Sequence, residues 1–291
     1  MRRISKLTRV AVGVASLALA ATACGGTSSE AGSGSEGEGE SKKGLAIAYD
    51  IGGKGDQSFN DAAFSGLDKA KKEFKYDTAD IEPTDGETDA DKVQRLTSAA
   101  AKATKTNTVG FVGGVDIPLI HKFEAGYKQG VTDTNPKVKV LSQYLTQTAE
   151  EGGFASPDKG KAAAESQLEN NADVVYQAAG LSGQGVIEAA ATQKKWAIGV
   201  DSDQYEQEAL AKFKDYILTS ALKDVGGAVY ALAKSVEDGK PLTGVQTFDL
   251  KVDGVGLAET NPEYAKIAGL KDAVDKAKAG IIDGSIKVKT E

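Results

Sequence analysis

The side chains best suited to holding a small polar ligand crowd one glycine-rich stretch, LAIAYDIGGKGDQSFNDAAFSGL, which carries Asp50, Asp56, Ser58, Phe59 and Asn60. Carboxylates and amides hydrogen-bond the edge of a polar group. A connecting loop needs no aromatic, so Phe59 suggests a flat ligand face to cover. Further on, Asp201, Asp203 and Gln204 follow the apolar run WAIGV, and Lys223 follows ILTSAL. Gly180, Leu181, Gly183 and Gly185 follow VVYQAA and open a helical pattern. Each signal has a plainer explanation when taken alone. Asp201 to Gln204 is also ordinary strand-end turn chemistry, and Lys223 is also a solvated lysine at a helix start. The Gly180 loop precedes a helix, where phosphate is held well. It lacks both a following Lys-Ser/Thr and G-x-G-x-x-G spacing, which argues against a nucleotide phosphate.

Other chemistries are narrowed by composition. With one His (His121) and one Cys (Cys24), neither a Cys/His zinc site nor an intrachain disulfide is available. Nucleophilic catalysis of the Ser-His-Asp kind would have to run through His121 alone. The formal charge of −7 comes with no basic stripe, so nucleic acid is not an expected partner.

The elements that position these residues follow from hydrophobic periodicity. Leu45 to Tyr49 reads as a buried strand, and Gly52, Gly53 and Gly55 form a turn. A helix then carries Ala63, Phe64, Leu67 and Ala70 at helical spacing, capped by Asn60 or Asp61. Strands are expected over 76–82, 108–114, 138–144, 172–179, 196–200 and 217–222. Helices are expected over 91–103, 117–130, 158–169, 185–192 and 223–237, with the last helices within 261–280 and extended pieces over 245–257. Phe123 and Tyr127 fall at i, i+4 and read as core, while Asp116 ends a strand as a turn, a helix cap or a ligand contact. This alternation predicts an α/β architecture with parallel sheets, in which ligands sit at the carboxyl ends of strands.

The first residues read differently. Arg2, Arg3, Lys6 and Arg9 precede an apolar run from Val10 to Ala21 that is short for a bilayer span, and Ala21, Thr22 and Ala23 lead to Cys24. This resembles a bacterial lipobox, with Ala21 where Leu is usual. It implies cleavage before Cys24, lipidation of its sulfur and anchoring on the outer face of the membrane. An ordinary secretory signal with an incidental cysteine is the alternative. Without the four signal-peptide cations the formal charge falls from −7 to −11. Residues 25–43 are Gly, Ser and Glu with almost nothing apolar, which makes a flexible tether.

Five segments in order carry a wider resemblance: GGKGDQSFNDAAFSGL, GFVGGVDIPLIHKFEAGYKQGV, VVYQAAGLSGQGVIEAA, AIGVDSDQ and ILTSALKDV. Together they resemble the basic membrane protein (BMP) family, lipid-anchored substrate-binding proteins of ABC importers similar to the PnrA-type nucleoside-binding lipoproteins. The resemblance implies a two-lobed, periplasmic-binding-protein-like (type I) fold and no cofactor. It implies that Phe59 stacks on a purine while Asn60, with Asp50 or Asp56, reads its edge. The Gly180–Gly183 loop would cover the other face, and Asp201 and Lys223 would hold ribose or base. An ABC permease with its ATPase would be the partner of a monomeric receptor.

One departure accompanies it. After the ADKVQRL helix the family pattern has two further strand–helix units, roughly 60–70 residues at about thirty each, whereas here the chain runs directly into TVGFVGG. The expected organisation is a signal peptide (1–23), an anchor and linker (24–43), a shortened first lobe (44–106), a second lobe (107–217) and a return segment completing the first lobe (218–291). An exported nucleoside hydrolase using Asp50 and Asp56 with a metal is the enzymatic alternative. A degenerate lipoprotein that no longer binds is the other.

Overall fold

The computed structural model describes residues 44–49, 54–81 and 94–289. Asp50 and Cys24, and with them the signal and tether readings, lie outside the described residues. Two sheets organise the rest. The smaller pairs β1 (Gly44–Ala48) in parallel with β2 (Asp77–Ile81), and α1 (Phe59–Phe74) connects them. The larger has β3 (Thr108–Val115), β4 (Lys139–Thr146), β5 (Val174–Ala178), β6 (Trp196–Asp201), β7 (Ile217–Lys223) and β8 (Val255–Leu257), in the order β4-β3-β5-β6-β7-β8.

The first five of these strands are parallel, and their side chains divide between two helical layers, as the alternation of strand residues requires. Phe111, Tyr176, Ile198 and Leu218 face a core shared with α2 (Gln94–Ala103), α3 (Pro118–Thr134) and α8 (Leu270–Asp283). Their neighbours Val112 and Val175 face α4 (Pro157–Glu169) and α5 (Gly183–Thr192), and Ala197 and Ile217 face α5. Both faces are therefore covered, the usual condition for parallel strands.

α6 (Val225–Glu237) leaves this sheet and packs beside α1. The approach is close enough that a Cβ on Gly66 would come within 2.2 Å of the Gly226 carbonyl oxygen. Leu45, Leu67, Ala70, Tyr76 and Ala233 form the small core there, and the Tyr76 hydroxyl donates to Glu237 at 3.0 Å. The chain returns at Gly254, whose carbonyl accepts from the Asp224 N–H at 2.9 Å. Because it re-enters next to the carboxyl end of β7, with Val255 opposite Lys223, β8 must run antiparallel.

The sequence expectation of extended pieces over 245–257 thus reduces to three strand residues, preceded by a 3-10 turn at Leu250–Val252. Lys223 proves to be the last residue of β7 rather than the first of a helix, since Asp224 caps α6 by accepting from the Gly227 N–H. Within the expected return segment, α6 joins the small unit while β8 and α8 join the large one, with α7 (Pro262–Lys266) beside β7 and α8. α2, from the expected first-lobe range, lies against α3 and α8.

Candidate functional site

The turn before α1 is built by two carboxylates. Asp56 is buried, and its Oδ1 accepts from the N–H groups of Ser58 (2.9 Å) and Asp61 (3.1 Å). Its Oδ2 accepts from the Asn60 N–H (2.9 Å) and side-chain Nδ2 (3.0 Å). Burial pushes the Asp56 carboxyl above its ordinary range, against the downward pull of those backbone N–H groups. Asp61 reaches backward, accepting from Gly55 N (2.8 Å) and Gln57 N (2.9 Å). Neither Asn60 nor Asp61 stands at the helix cap, as the sequence reading expected. Ser58 is the N-cap residue, and Asp56, two positions earlier, satisfies N–H groups that the first turn leaves open. With its oxygens engaged in this way, Asp56 positions Phe59 and Asn60.

Opposite this turn stand the carboxyl ends of β6 and β7. Asp201 ends β6 in a left-handed conformation (φ 65°), rare for a residue with a side chain. The Ser58 hydroxyl donates to its Oδ2 across the two units. Lys223 ends β7 with its ammonium 3.6 Å from Asp201, and both side chains are about nine-tenths buried. The same ammonium lies 4.5 Å from the centre of the Phe59 ring and 5.1 Å from that of Phe123. A buried lysine is tolerable here because a carboxylate and two aromatic faces surround it. Phe123, on α3, is also a core residue, as its spacing suggested.

Next to Asp201, an amide network joins Gln204, which the sequence singled out, to Gln177, which it did not. Gln204 Oε1 accepts from the Val200 N–H (3.1 Å) and from Gln177 Nε2 (2.7 Å), and the Gln204 N–H donates to Ser220 Oγ (3.1 Å). Gly183, expected to line a ligand-covering loop, is packed against this network: a Cβ there would lie 2.1 Å from Gln177 Oε1. Gly180 turns with φ 54° at the end of β5, and Leu181 is half-buried in the 3-10 turn it begins. Ser182 ties that turn to the preceding loop, its hydroxyl donating to the Gly153 carbonyl at 2.7 Å. Contact with the α1 turn comes instead from Gln184, whose Nε2 donates to Gln57 Oε1 at 2.9 Å.

An open cavity of about 610 Å³ lies along the junction, lined by Gln57, Ser58, Asp61, Ser202 and Glu208 among others. That volume suits a small molecule. Away from it, Asp116 pairs with His121 at 2.5 Å and accepts from Gln147, so the lone histidine has a surface partner. Among the described residues no group of three or more His, Cys, Asp or Glu is arranged to hold a metal ion.

Residues 96–290 match the family model described as "ABC transporter substrate-binding protein PnrA-like". The chain belongs to this family. Among its relatives, the ABC transporter nucleoside-binding protein BmpA of Lactococcus lactis subsp. cremoris is 40% identical over 209 residues, 66% of this chain and 56% of that protein. Basic membrane protein D of Borreliella burgdorferi is 35% identical over 65% of this chain and 53% of its own length. This PnrA-like chain therefore spans about half the length of the curated relatives it matches. An uncharacterized lipoprotein of Pyrococcus abyssi is 30% identical across 78% of this chain and 73% of its own. In fold, the chain resembles a solute-binding protein of an ABC transporter system from Aeropyrum pernix, with a TM-score of 0.67 and 23% identity over 84% of this chain and 93% of the other.

Proposed function

We propose that this PnrA-like protein is a lipid-anchored receptor that captures a purine nucleoside outside the cell and presents it to an ABC permease and its ATPase. The observation that carries the reading is the meeting of Ser58 and Phe59 from one unit with Asp201 and Lys223 from the other. Phe59 supplies a stacking face, worth about 1–3 kcal/mol for a base. Asn60 and Asp50 read the base edge, while Asp201 accepts from ribose hydroxyls as acidic residues do in dinucleotide sites. Lys223 bonds ribose or base. In this mechanism the ammonium yields the Phe59 face to the base while keeping Asp201 as its counter-ion. Gly180 and Leu181 approach the opposite face.

Closure of one unit on the other turns on the paired crossings at Asp224 and Gly254, and ligand selects the closed arrangement. Cys24 holds the protein to the membrane. Among the described residues no helix is long and apolar enough to span one. The metal-dependent hydrolase reading is weakened by Asp56, whose oxygens already serve the α1 turn. The small size of the β1–β2 unit favours a second reading, a family member that has lost binding.

The experiment is thermal unfolding of the mature protein carrying Cys24→Ser, with and without individual nucleosides. A ligand at a hundred times its Kd adds about 2.7 kcal/mol, a shift of a few degrees. A shift with purine nucleosides and not with free ribose supports the receptor. A cooperative transition that no nucleoside moves overturns the assignment.

A further inference from the structure

Three glutamines and a serine tie the α1 turn to two segments of the six-stranded unit, and Gln57, Ser202 and Gln207 do so at the wall of the cavity along the junction. Gln57 Oε1 accepts from Gln184 Nε2 at 2.9 Å, at the start of α5. The Gln57 backbone carbonyl accepts from Gln207 Nε2 at 3.1 Å, and the same amide donates to Ser202 Oγ at 2.8 Å. Gln57 is set for this double role by its backbone. It sits at φ 50°, and Asp61 fixes its N–H, so side chain and carbonyl both point across the junction.

We infer that Gln57, Gln184 and Gln207 form an inter-unit latch that sets how long the receptor holds its ligand. These are positioning residues. They act by raising the population of the closed arrangement, and the apparent Kd varies inversely with that population. Neutral amides suit such a latch because each bond is weak and exchangeable with water, leaving the closed state reversible. The ligand-retention part rests on the receptor reading above, whereas the effect on inter-unit distance does not.

The test uses the mature protein carrying Cys24→Ser. It then contains no cysteine, so a dye pair attached through Lys72→Cys on α1 and Glu169→Cys on α4 reports the distance between units. Gln184→Ala removes one latch bond and touches neither core. It should speed dissociation of the nucleoside that best stabilises the parent protein by about three- to tenfold, the loss of one net hydrogen bond. The Tm without nucleoside should stay unchanged, and the mean dye separation should lengthen.

Gln57→Glu together with Gln184→Glu sets two carboxylates against each other, since neither can donate, and should open the units further. Pairing Gln57→Lys with Gln184→Glu instead should restore both dissociation rate and distance, a rescue that a merely structural role would not give. Dye distances identical in parent, Gln184→Ala and the double-glutamate variant would overturn the latch. If no nucleoside binds the parent yet the distances shift as expected, the latch stands and the receptor reading falls.

Discussion

The two sheets of this molecule obey the same packing rules and meet them to different degrees. In the large unit every parallel strand lies between helices, and each strand contributes to cores on both faces. In the small unit two strands, α1 and α6 share a core of five buried side chains, and α6, apolar along most of its length, buries only Ala233. Val225, Leu232 and Val236 on α6 are only partly buried, and beyond the helix Leu242 and Val245 are 47% and 93% exposed. Apolar side chains left partly uncovered gain less from water release than fully buried ones. The small unit is therefore the weaker partner, and it carries Phe59 and Asn60. Under the proposed receptor reading, binding then depends on the part of the fold with the least reserve.

The largest test of that contrast uses two glycines at tight helix contacts. Gly185→Ala would drive a Cβ to 1.8 Å from the Pro157 carbonyl oxygen between α5 and α4. It should cost about 3 kcal/mol or more of global stability in denaturant. Gly66→Ala makes a similar clash with Gly226, but in the small unit. It should abolish ligand binding while amides of β3, β5 and β6 keep their protection from hydrogen exchange. Loss of protection throughout the large sheet in Gly66→Ala would mean that the units unfold as one.

Next in size is Asp56→Ala. It strips four N–H partners from the α1 turn at once and should destabilise the small unit by about 2–3 kcal/mol. Its effect on binding should come through Phe59 and Asn60. Added sucrose or lower temperature, by refolding the turn, should recover part of the affinity. Affinity that is lost while α1 keeps parent-like exchange protection would instead make Asp56 a direct ligand contact.

Phe59→Ala follows, with an expected loss of about 1–3 kcal/mol in binding by titration and almost none in stability, since the ring is only partly buried. Phe123→Leu, across the same ammonium, should do the reverse, because Phe123 belongs to the large core. Equal binding losses in the two variants would spread the stacking role over both rings.

Much of this was legible in the chain. The alternation of strands and helices, the parallel sheet and the placement of candidate residues at strand ends follow from periodicity and Gly punctuation. Local chemistry between neighbours was harder. The capping role of Asp56 was hidden, because nothing in a sequence distinguishes a carboxylate facing solvent from one folded back onto nearby N–H groups. Lys223 read as a helix start because Asp224, the true cap, looks like part of a charged pair. Contacts between distant segments were not legible at all. Glutamines at 57, 177, 184 and 207 carry no signal of their own until the fold sets them beside their partners. The partner of α6 was equally hidden, since an apolar helix does not announce which sheet it will meet.

The smallest expected effect is also the sharpest probe of the contrast between units. Leu232 is only partly buried on α6, further along the helix from the Gly66–Gly226 contact. In a fully packed helix, replacing a leucine with a polar residue costs several kcal/mol, by cavity and by burial of an amide. Here Leu232→Gln should cost no more than about 1 kcal/mol, because the side chain is partly open to solvent and the amide keeps its water. The matched change in the large unit, Ile187→Gln on the fully buried face of α5, should prevent folding or cost several kcal/mol. Denaturant melts of the pair decide the matter. A Leu232→Gln loss approaching that of Ile187→Gln would mean that α6 is covered in solution by something the isolated fold lacks.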